Sequence, residues 1–426
     1  MTSPIARKTA TSHGVAPGVS TQRDGFGRGG GTELAGRQAG EPLDRAIPPG
    51  SRQASGPLDR ATGTPVNPAA GGAQPGTPID TVVIGGGQAG LSTAYFLRKF
   101  GIEYVVLDHS PAAGGAWQFR WPSLTLSTAH RVHDLPGMPL GEQDTSRPAA
   151  EVVSEYFARY ERTFQLNVRR PVHVAAVRDS GDRLVVESSA EVWLAHTVVN
   201  ATGTWDKPFV PYYPGRETFR GWQLHSSAYP GADAFAGKHV VVVGGGASAT
   251  QQLAEISQVT TTTWVTRRPP EFRAAGAFTE EWGRRVEAAV AANTARGGPP
   301  RSVVSYTGLG LTPEVEAARK RGALDRLPMF DRITPDGVAW DDGRFVRADV
   351  ILWATGFRPA VDHLAPLKLR EPAGGIAVVN TRAVREPRLF LVGYGPSAST
   401  IGAARAGRVA ATGVRDLLTA KDLQVA

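Results

Sequence analysis

The sequence predicts an α/β fold of two doubly wound units, the second inserted into the first. Three observations predict it. A strand–turn–helix–strand pattern runs from Thr81 to Asp108. The same pattern recurs from His239 to Arg268. Two matching strand ends, Ala201-Thr202-Gly203 and Ala354-Thr355-Gly356, bracket the second copy, which places the chain crossings near them.

In the first unit, Thr81-Val82-Val83-Ile84 is a short apolar run, the pattern of a strand buried in a parallel sheet. Gly85-Gly86-Gly87-Gln88-Ala89-Gly90 follows as a G-x-G-x-x-G turn. Leu91 to Phe100 reads as a helix stopped by Gly101, and Tyr104-Val105-Val106-Leu107 is a second strand closing on Asp108. This context gives the glycine spacing its meaning. Gly85 allows a tight turn, Gly87 lets backbone approach a pyrophosphate, and Gly90 lets the helix pack on the strand. Gln88 and Ala89 open the helix, whose free N–H groups and positive end suit a diphosphate. Asp108 can accept from a ribose 2′-OH and would repel a 2′-phosphate.

In the second unit, His239 to Val243 leads into Gly244-Gly245-Gly246-Ala247-Ser248-Ala249, a G-x-G-x-x-A turn. A helical stretch and the strand Thr263-Trp264-Val265-Thr266 end on Arg267-Arg268. The same 23 positions separate Gly85 from Asp108 and Gly244 from Arg267. One unit ends on an acid, the other on a base. An Arg there suits the 2′-phosphate of NADP, and the pair also fits an ordinary solvated charge pair. The predicted architecture is therefore two Rossmann-like dinucleotide-binding domains.

The remaining elements follow in order. Residues 1–77 hold 15 Gly and 9 Pro with Phe26 the sole aromatic, and are expected to be a disordered low-complexity tail. Gly114-Gly115-Ala116-Trp117 is a turn that either brings backbone close to a cofactor or is an ordinary Gly-Gly turn. Ser123 to Leu140 reads as an irregular loop over a site; its His130 and His133 have no partner at metal-ligand spacing. Ala150 to Phe164 reads as an amphipathic helix, and Val172–Val177, Leu184–Glu187 and Thr197–Asn200 as strands. Residues 204–238 form a linker rich in Pro and aromatics. Helical pieces follow at Glu280–Asn293 and Pro313–Arg321, then a strand from Asp349, a strand at Arg388–Gly393 and a helix over Ser397–Ala420. The expected domains are 78–205 and 351–426 for the first unit and 206–350 for linker and second unit.

Composition narrows the function. A chain of 426 residues can build two or three domains. It has no Cys, which excludes thiol nucleophiles, disulfides and Cys-based metal sites; no metal is expected. The net charge of +8 comes with no basic cluster interleaved with aromatics, so no nucleic-acid partner is expected. No apolar run approaches about 18 residues, and no hydrophobic signal segment stands out. A cytoplasmic protein with no membrane partner is expected, with a homo-oligomer left open.

The stretch Phe219-Arg220-Gly221-Trp222-Gln223-Leu224-His225-Ser226-Ser227-Ala228-Tyr229 lies between the two units. It matches F-x-G-x-x-x-H-x-x-x-Y, and with the flanking glycine turns it resembles the flavin-containing monooxygenases of the two-dinucleotide type. Leu124-Thr125-Leu126 through Leu135-Pro136-Gly137-Met138-Pro139 is similar to the plant indole-3-pyruvate branch. The resemblance covers residues 78–426. It implies FAD on Gly85, Gly87, Gln88, Ala89, Gly90, Asp108, Gly115, Trp117, Val174 and Ala201. It implies NADPH on Gly244, Gly246, Ser248, Arg267 and Arg268, with Gly356 and Phe357 in a late Ala-Thr-Gly-aromatic element. His225 and Tyr229 would fix the linker and the NADP position without attacking substrate. The chain departs from the family in two places. Gly393-Tyr394-Gly395-Pro396 lacks an Asp, and the loop after Trp117 has Ser127 and Thr128 but no Asn.

The implied reaction inserts one oxygen atom of O₂ into a small nitrogen, sulfur or carbonyl substrate through a flavin C4a-hydroperoxide. An NADPH-dependent reductase or oxidase releasing hydrogen peroxide, and a non-catalytic redox-sensing flavoprotein, are the alternatives. Disulfide reductases share the layout but need a Cys pair that this chain lacks.

Overall fold

A computed structural model describes residues 76–129, 132–273, 280–301 and 304–425. All but the last two residues of the expected tail lie outside that set, as does His130. The first strand, β1 (Thr77–Ile84), begins before the apolar run and carries it at its C-terminal end. Helix α1 (Gln88–Lys99) returns antiparallel to it, and β2 (Tyr104–Leu107) pairs parallel with β1, Val82 opposite Val105. Helix α2 (Ala149–Thr163) buries Val152, Val153, Tyr156, Phe157 and Tyr160, the single stripe expected of 3.6-residue spacing. Short β3 (Val168–Arg169) extends the sheet beyond β2. Strands β4 (Val174–Ser180), β5 (Arg183–Ser188) and β6 (Val192–Asn200) form an antiparallel meander, and β6 returns parallel to β1.

The chain then crosses to the second sheet. The expected linker contains a strand, β7 (Trp222–His225), at that sheet's edge. β8 (Val240–Val243), α3 (Ala247–Ile256) and β9 (Thr262–Thr266) form the second strand–helix–strand unit. A two-strand pair, β10 (Phe272–Arg273) with β11 (Leu309–Gly310), spans the region of α4 (Glu280–Ala295) and α5 (Val304–Thr307). Helix α6 (Pro313–Lys320) starts on a Thr312 side-chain cap and leads to β12 (Arg326–Pro328). A three-stranded antiparallel flap follows, β13 (Arg332–Thr334), β14 (Gly337–Ala339) and β15 (Phe345–Arg347), which the sequence reading did not anticipate. β16 (Val350–Trp353) sits between β8 and β7, parallel to both. The boundary expected at 350/351 is therefore corrected: β16 completes the second sheet, and the return crossing lies beyond Trp353.

β17 (Val378–Val379), β18 (Arg382–Ala383) and β19 (Leu389–Leu391) rejoin the first sheet, and α7 (Thr400–Val425) packs on α1. The first sheet runs β17-β18-β19-β6-β1-β2-β3, and the second runs β12-β9-β8-β16-β7. Alternate residues of the central strands feed opposite cores, as a strand's two-residue period requires. In the first sheet, Val83, Val106 and Val199 face α1, α2 and α7, while Val82, Val105 and Val198 face the meander side. In the second, Val242 and Leu352 pack with α3 and α6, and Val241 and Ile351 pack under the flap.

Candidate functional site

The glycine turn after β1 is shaped by close backbone approaches. Gly85 has φ +103°, a conformation side chains disfavour. A Cβ on Gly90 would stand 1.9 Å from the Gly85 carbonyl oxygen, so glycine is required where α1 meets the turn. A Cβ on Gly87 would meet only Gly115 Cα, at 4.0 Å. Gly87 is thus open on the side facing a cavity of about 660 Å³. It caps α1 without a side-chain hydrogen bond, and a helix N-terminus of this kind suits an anion.

That cavity gathers most of the residues expected around the first dinucleotide. Gly85, Gly87, Gln88, Ala89 and Asp108 line it, and so do Gly115, Trp117, Val174 and Ala201; Gly90 lies buried beneath. The Gln88 amide donates to the His133 carbonyl at 3.1 Å, tying the loop 123–140 to the turn.

Asp108 is buried and already engaged. Arg170 Nε donates to its Oδ2 at 2.7 Å, and the other end of Arg170 forks both oxygens of Glu161 on α2, each at 2.7 Å. Its Oδ1 accepts from Ser110 N at 3.3 Å. The acid is held rigidly at the cavity wall, with lone pairs left for a ribose hydroxyl. Beside it, His109 Nε2 and Asp206 Oδ1 are 3.2 Å apart, and this hydrogen bond raises the histidine pKa.

The linker motif braces the two chain crossings. His225 ends β7 and is buried. Its Nε2–H donates to the Gly356 carbonyl at 3.0 Å, and its Nδ1 accepts from Ser227 N at 3.1 Å. Burial lowers its pKa, which favours the neutral ring. Phe357 packs edge-on against His225 with centroids 4.9 Å apart, stacks on Trp205 at 5.1 Å, and reaches the cavity wall. The two crossings pair with each other: Phe209 N donates to Gly356 O at 2.9 Å and Arg358 N to Lys207 O at 2.8 Å. Tyr229 is buried and donates to Glu255 Oε2 at 3.0 Å; burial first, then Glu255, raises its pKa. Glu255, on α3, also accepts from Trp121 Nε1 at 3.3 Å and Ser123 Oγ at 2.7 Å. The motif therefore fixes both the crossing and the loop over the cavity.

The second turn repeats the first. Gly244 has φ +142°, and a Cβ there would stand 2.1 Å from the Ala354 carbonyl oxygen. Gly246 caps α3 without a side-chain bond, and nothing lies within 4 Å of where its Cβ would be. Ser248 lies in the first turn of α3. Arg267 and Arg268 follow β9, both exposed and without an ion-pair partner among the described residues. Arg326, on β12, joins them: its Nε donates to Thr266 Oγ1 at 2.6 Å. None of these residues lines the first cavity, so the two turns are separate cradles.

Sequence reasoning missed Arg170, Glu255, Arg326 and the aromatic wall at Trp205. The first three come from distant positions and carry no local spacing. Trp205 stood in plain view, three residues after the Ala-Thr of the first crossing.

Among known proteins, the family model described as pyridine nucleotide-disulphide oxidoreductase matches residues 82–280. An uncharacterized oxidoreductase, CzcO, of Bacillus velezensis is 32% identical over 179 residues, 42% of this chain. The chain spans about half, 52%, of that relative's length. An indole-3-pyruvate monooxygenase of Oryza sativa subsp. japonica is 27% identical over 66% of this chain and 77% of its own. The solved structure of a flavin-containing monooxygenase from Stenotrophomonas maltophilia is 38% identical, covering 80% of this chain and 99% of that one, with a TM-score of 0.69.

Proposed function

The chain belongs to the flavin-containing monooxygenase family, and we propose that it is an FAD- and NADPH-dependent monooxygenase acting on a small molecule with O₂. One observation carries the reading: the open backbone at Gly87 and the crossing residue Phe357 face one cavity, so the first cradle extends to the junction with the second sheet. A flavin there would supply the two-electron chemistry, passing reducing equivalents from NADPH to O₂. The balance is NADPH, a proton, O₂ and substrate giving NADP⁺, water and oxygenated substrate.

The residues of the chain bind, orient and shield. Gly85, Gly87 and the N-terminus of α1 hold the diphosphate of FAD, Asp108 the ribose, and backbone around Val174 the adenine end. Gly244, Gly246 and Ser248 hold the diphosphate of NADPH, and Arg267 and Arg268 grip its 2′-phosphate. A disulfide-reductase reading, which the matched family's description suggests, has no thiol to work with. His225 holds its proton on Nε2 against Gly356 and takes no part in proton transfer to substrate. Trp117, Trp205 and Phe357 wall the junction with apolar surface that excludes water.

Stopped-flow reduction by NADPH, followed by mixing with O₂ and substrate, tests this. Oxygenated product matching the NADPH consumed supports it. Stoichiometric hydrogen peroxide with no oxygenated product points to an oxidase. A bound flavin that NADPH does not reduce points to a sensor.

A further inference from the structure

Strand pairing matches the two units residue by residue. In the first sheet Ile84, just before Gly85, sits opposite Leu107, and Gly85 N donates to Leu107 O at 2.8 Å. In the second, Val243, just before Gly244, sits opposite Val265, and Gly244 N donates to Val265 O at 2.9 Å. The residue after each partner therefore takes the same place: Asp108 in the first unit, Thr266 in the second. The middle glycine of each turn lies against that residue. A Cβ on Gly86 would stand 2.7 Å from Asp108 Oδ2, and one on Gly245 would stand 3.7 Å from Thr266 Cγ2.

Each of these residues is held by an arginine from the outer neighbouring strand. Arg170, one place past β3, grips Asp108, and β3 pairs parallel with β2. Arg326 lies on β12, which pairs parallel with β9. Its Nε donates to Thr266 Oγ1 at 2.6 Å and its Nη2 to the Thr266 carbonyl at 3.1 Å. Thr266 Oγ1 in turn donates to the Arg268 carbonyl at 2.7 Å. One buried hydroxyl thus joins Arg326 to the turn that carries Arg267 and Arg268.

The two places differ in charge. Arg170 is balanced by Asp108 and Glu161. Arg326 is held, among the described residues, by the uncharged Thr266 alone. Bonding through Nε and Nη2 uses one edge of a planar guanidinium and leaves the Nη1 end for a further acceptor. Where the first unit sets a carboxylate, which suits a ribose 2′-OH and repels a phosphate, the second sets a hydroxyl backed by a cation, which suits a phosphate.

We propose that Arg326, seated on Thr266, binds the 2′-phosphate of NADPH together with Arg267 and Arg268, as the specificity-determining residue standing where the first unit has its ribose acid. The inference rests on the NADPH reading of the second cradle, and its test needs no turnover. The FAD-loaded full chain is titrated by calorimetry with 2′,5′-ADP and with 5′-AMP, which differ only in the 2′-phosphate. The wild type binds 2′,5′-ADP about a hundredfold or more tighter, the scale of several charged hydrogen bonds. Arg326→Gln gives up about tenfold or more of that preference, with the loss falling on 2′,5′-ADP alone. Arg326→Lys, which keeps the charge without the fork, keeps part of it.

Three outcomes overturn the proposal alone. A preference left whole in Arg326→Gln makes Arg267 and Arg268 sufficient. Equal weakening of both ligands makes Arg326 a prop for β9. An Arg326→Lys protein that keeps no more of the preference than Arg326→Gln makes Arg326 a support for the other two arginines, not a phosphate ligand. Should Arg326→Gln not fold, Arg326→Lys decides: partial loss confined to 2′,5′-ADP supports the proposal, and equal loss on both ligands overturns it. A wild type that binds the two ligands equally sinks the NADPH reading of the cradle itself, and the proposal with it, before any variant is made.

Discussion

Gly87→Val separates cofactor binding from folding. Gly87 has φ −81° and ψ −171°, an extended conformation that valine adopts readily. The added Cβ meets only Gly115 Cα at 4.0 Å, so the side chain starts out from the backbone without a clash in the chain without cofactor. What the side chain occupies is the approach of a diphosphate to the backbone. Losing two hydrogen bonds to a charged group, at about 1.5–3 kcal/mol each, costs about 3–6 kcal/mol, or roughly two to four powers of ten in affinity. The assay is flavin absorbance per protein after purification and dialysis, with the melting temperature of the flavin-free protein beside it. Near-wild-type melting with flavin lost is the expected result. Gly90→Ala should do the reverse first, since its Cβ would stand 1.9 Å from the Gly85 oxygen and overpacking typically costs about 1–3 kcal/mol. A Gly87→Val protein that keeps its flavin at wild-type occupancy would refute the diphosphate placement.

Arg267→Ala should raise the apparent KM for NADPH roughly ten- to a hundred-fold and leave NADH nearly unchanged, the loss of a charge-assisted contact to a phosphate. Equal losses with both cofactors in flavin-reduction assays would make Arg267 a support of the fold. Glu255→Ala removes the acceptor shared by Tyr229, Trp121 and Ser123. It should destabilise the fold by about 1–3 kcal/mol in denaturant melts, and unchanged stability would show that the three donors find other partners. His363 donates to Asn200 Oδ1 at 2.7 Å, and burial pushes its pKa from the ordinary 6.5 down to about 4. Between those values the unfolded chain binds the extra proton, so its contribution to stability is full above 6.5 and is lost as pH falls toward about 4. His363→Gln should flatten that part of the stability profile, and an unaltered slope would assign it to other groups.

The glycine turns were legible because their geometry is local: six residues between an apolar run and a helix state the whole constraint. Asp108 was legible by its spacing, but its lock was not, since Arg170 stands 62 positions away. β7 is four residues of mixed polarity in a Pro-rich stretch, and it becomes a strand because β16 offers an open edge. The flap strands of three residues each are too short to show a two-residue period. Glu255 joins Trp121 across 134 positions, a contact that only the packing of α3 against the loop reveals. Arg120 could be read as an arginine among aromatics, but the seat of its guanidinium over Trp205 is a fact of three dimensions.

The paired crossings also bear on how such a chain can be rearranged. Entry to and exit from the second sheet run side by side, bridged at Pro208 and Phe357 and held again where Ala360 N donates to Gly203 O at 2.9 Å. An insert whose two ends are neighbours can be lifted out and the host rejoined by a short turn, at little cost in loop closure. The stretch from Thr204 to Thr355 is in that sense a cassette. A recombination event that replaced it would leave β6, β19 and the floor of the first cavity in register. Donor and host would have to agree on the backbone hydrogen bonds of the doorway and on the clasp of Glu255 with Trp121 and Ser123.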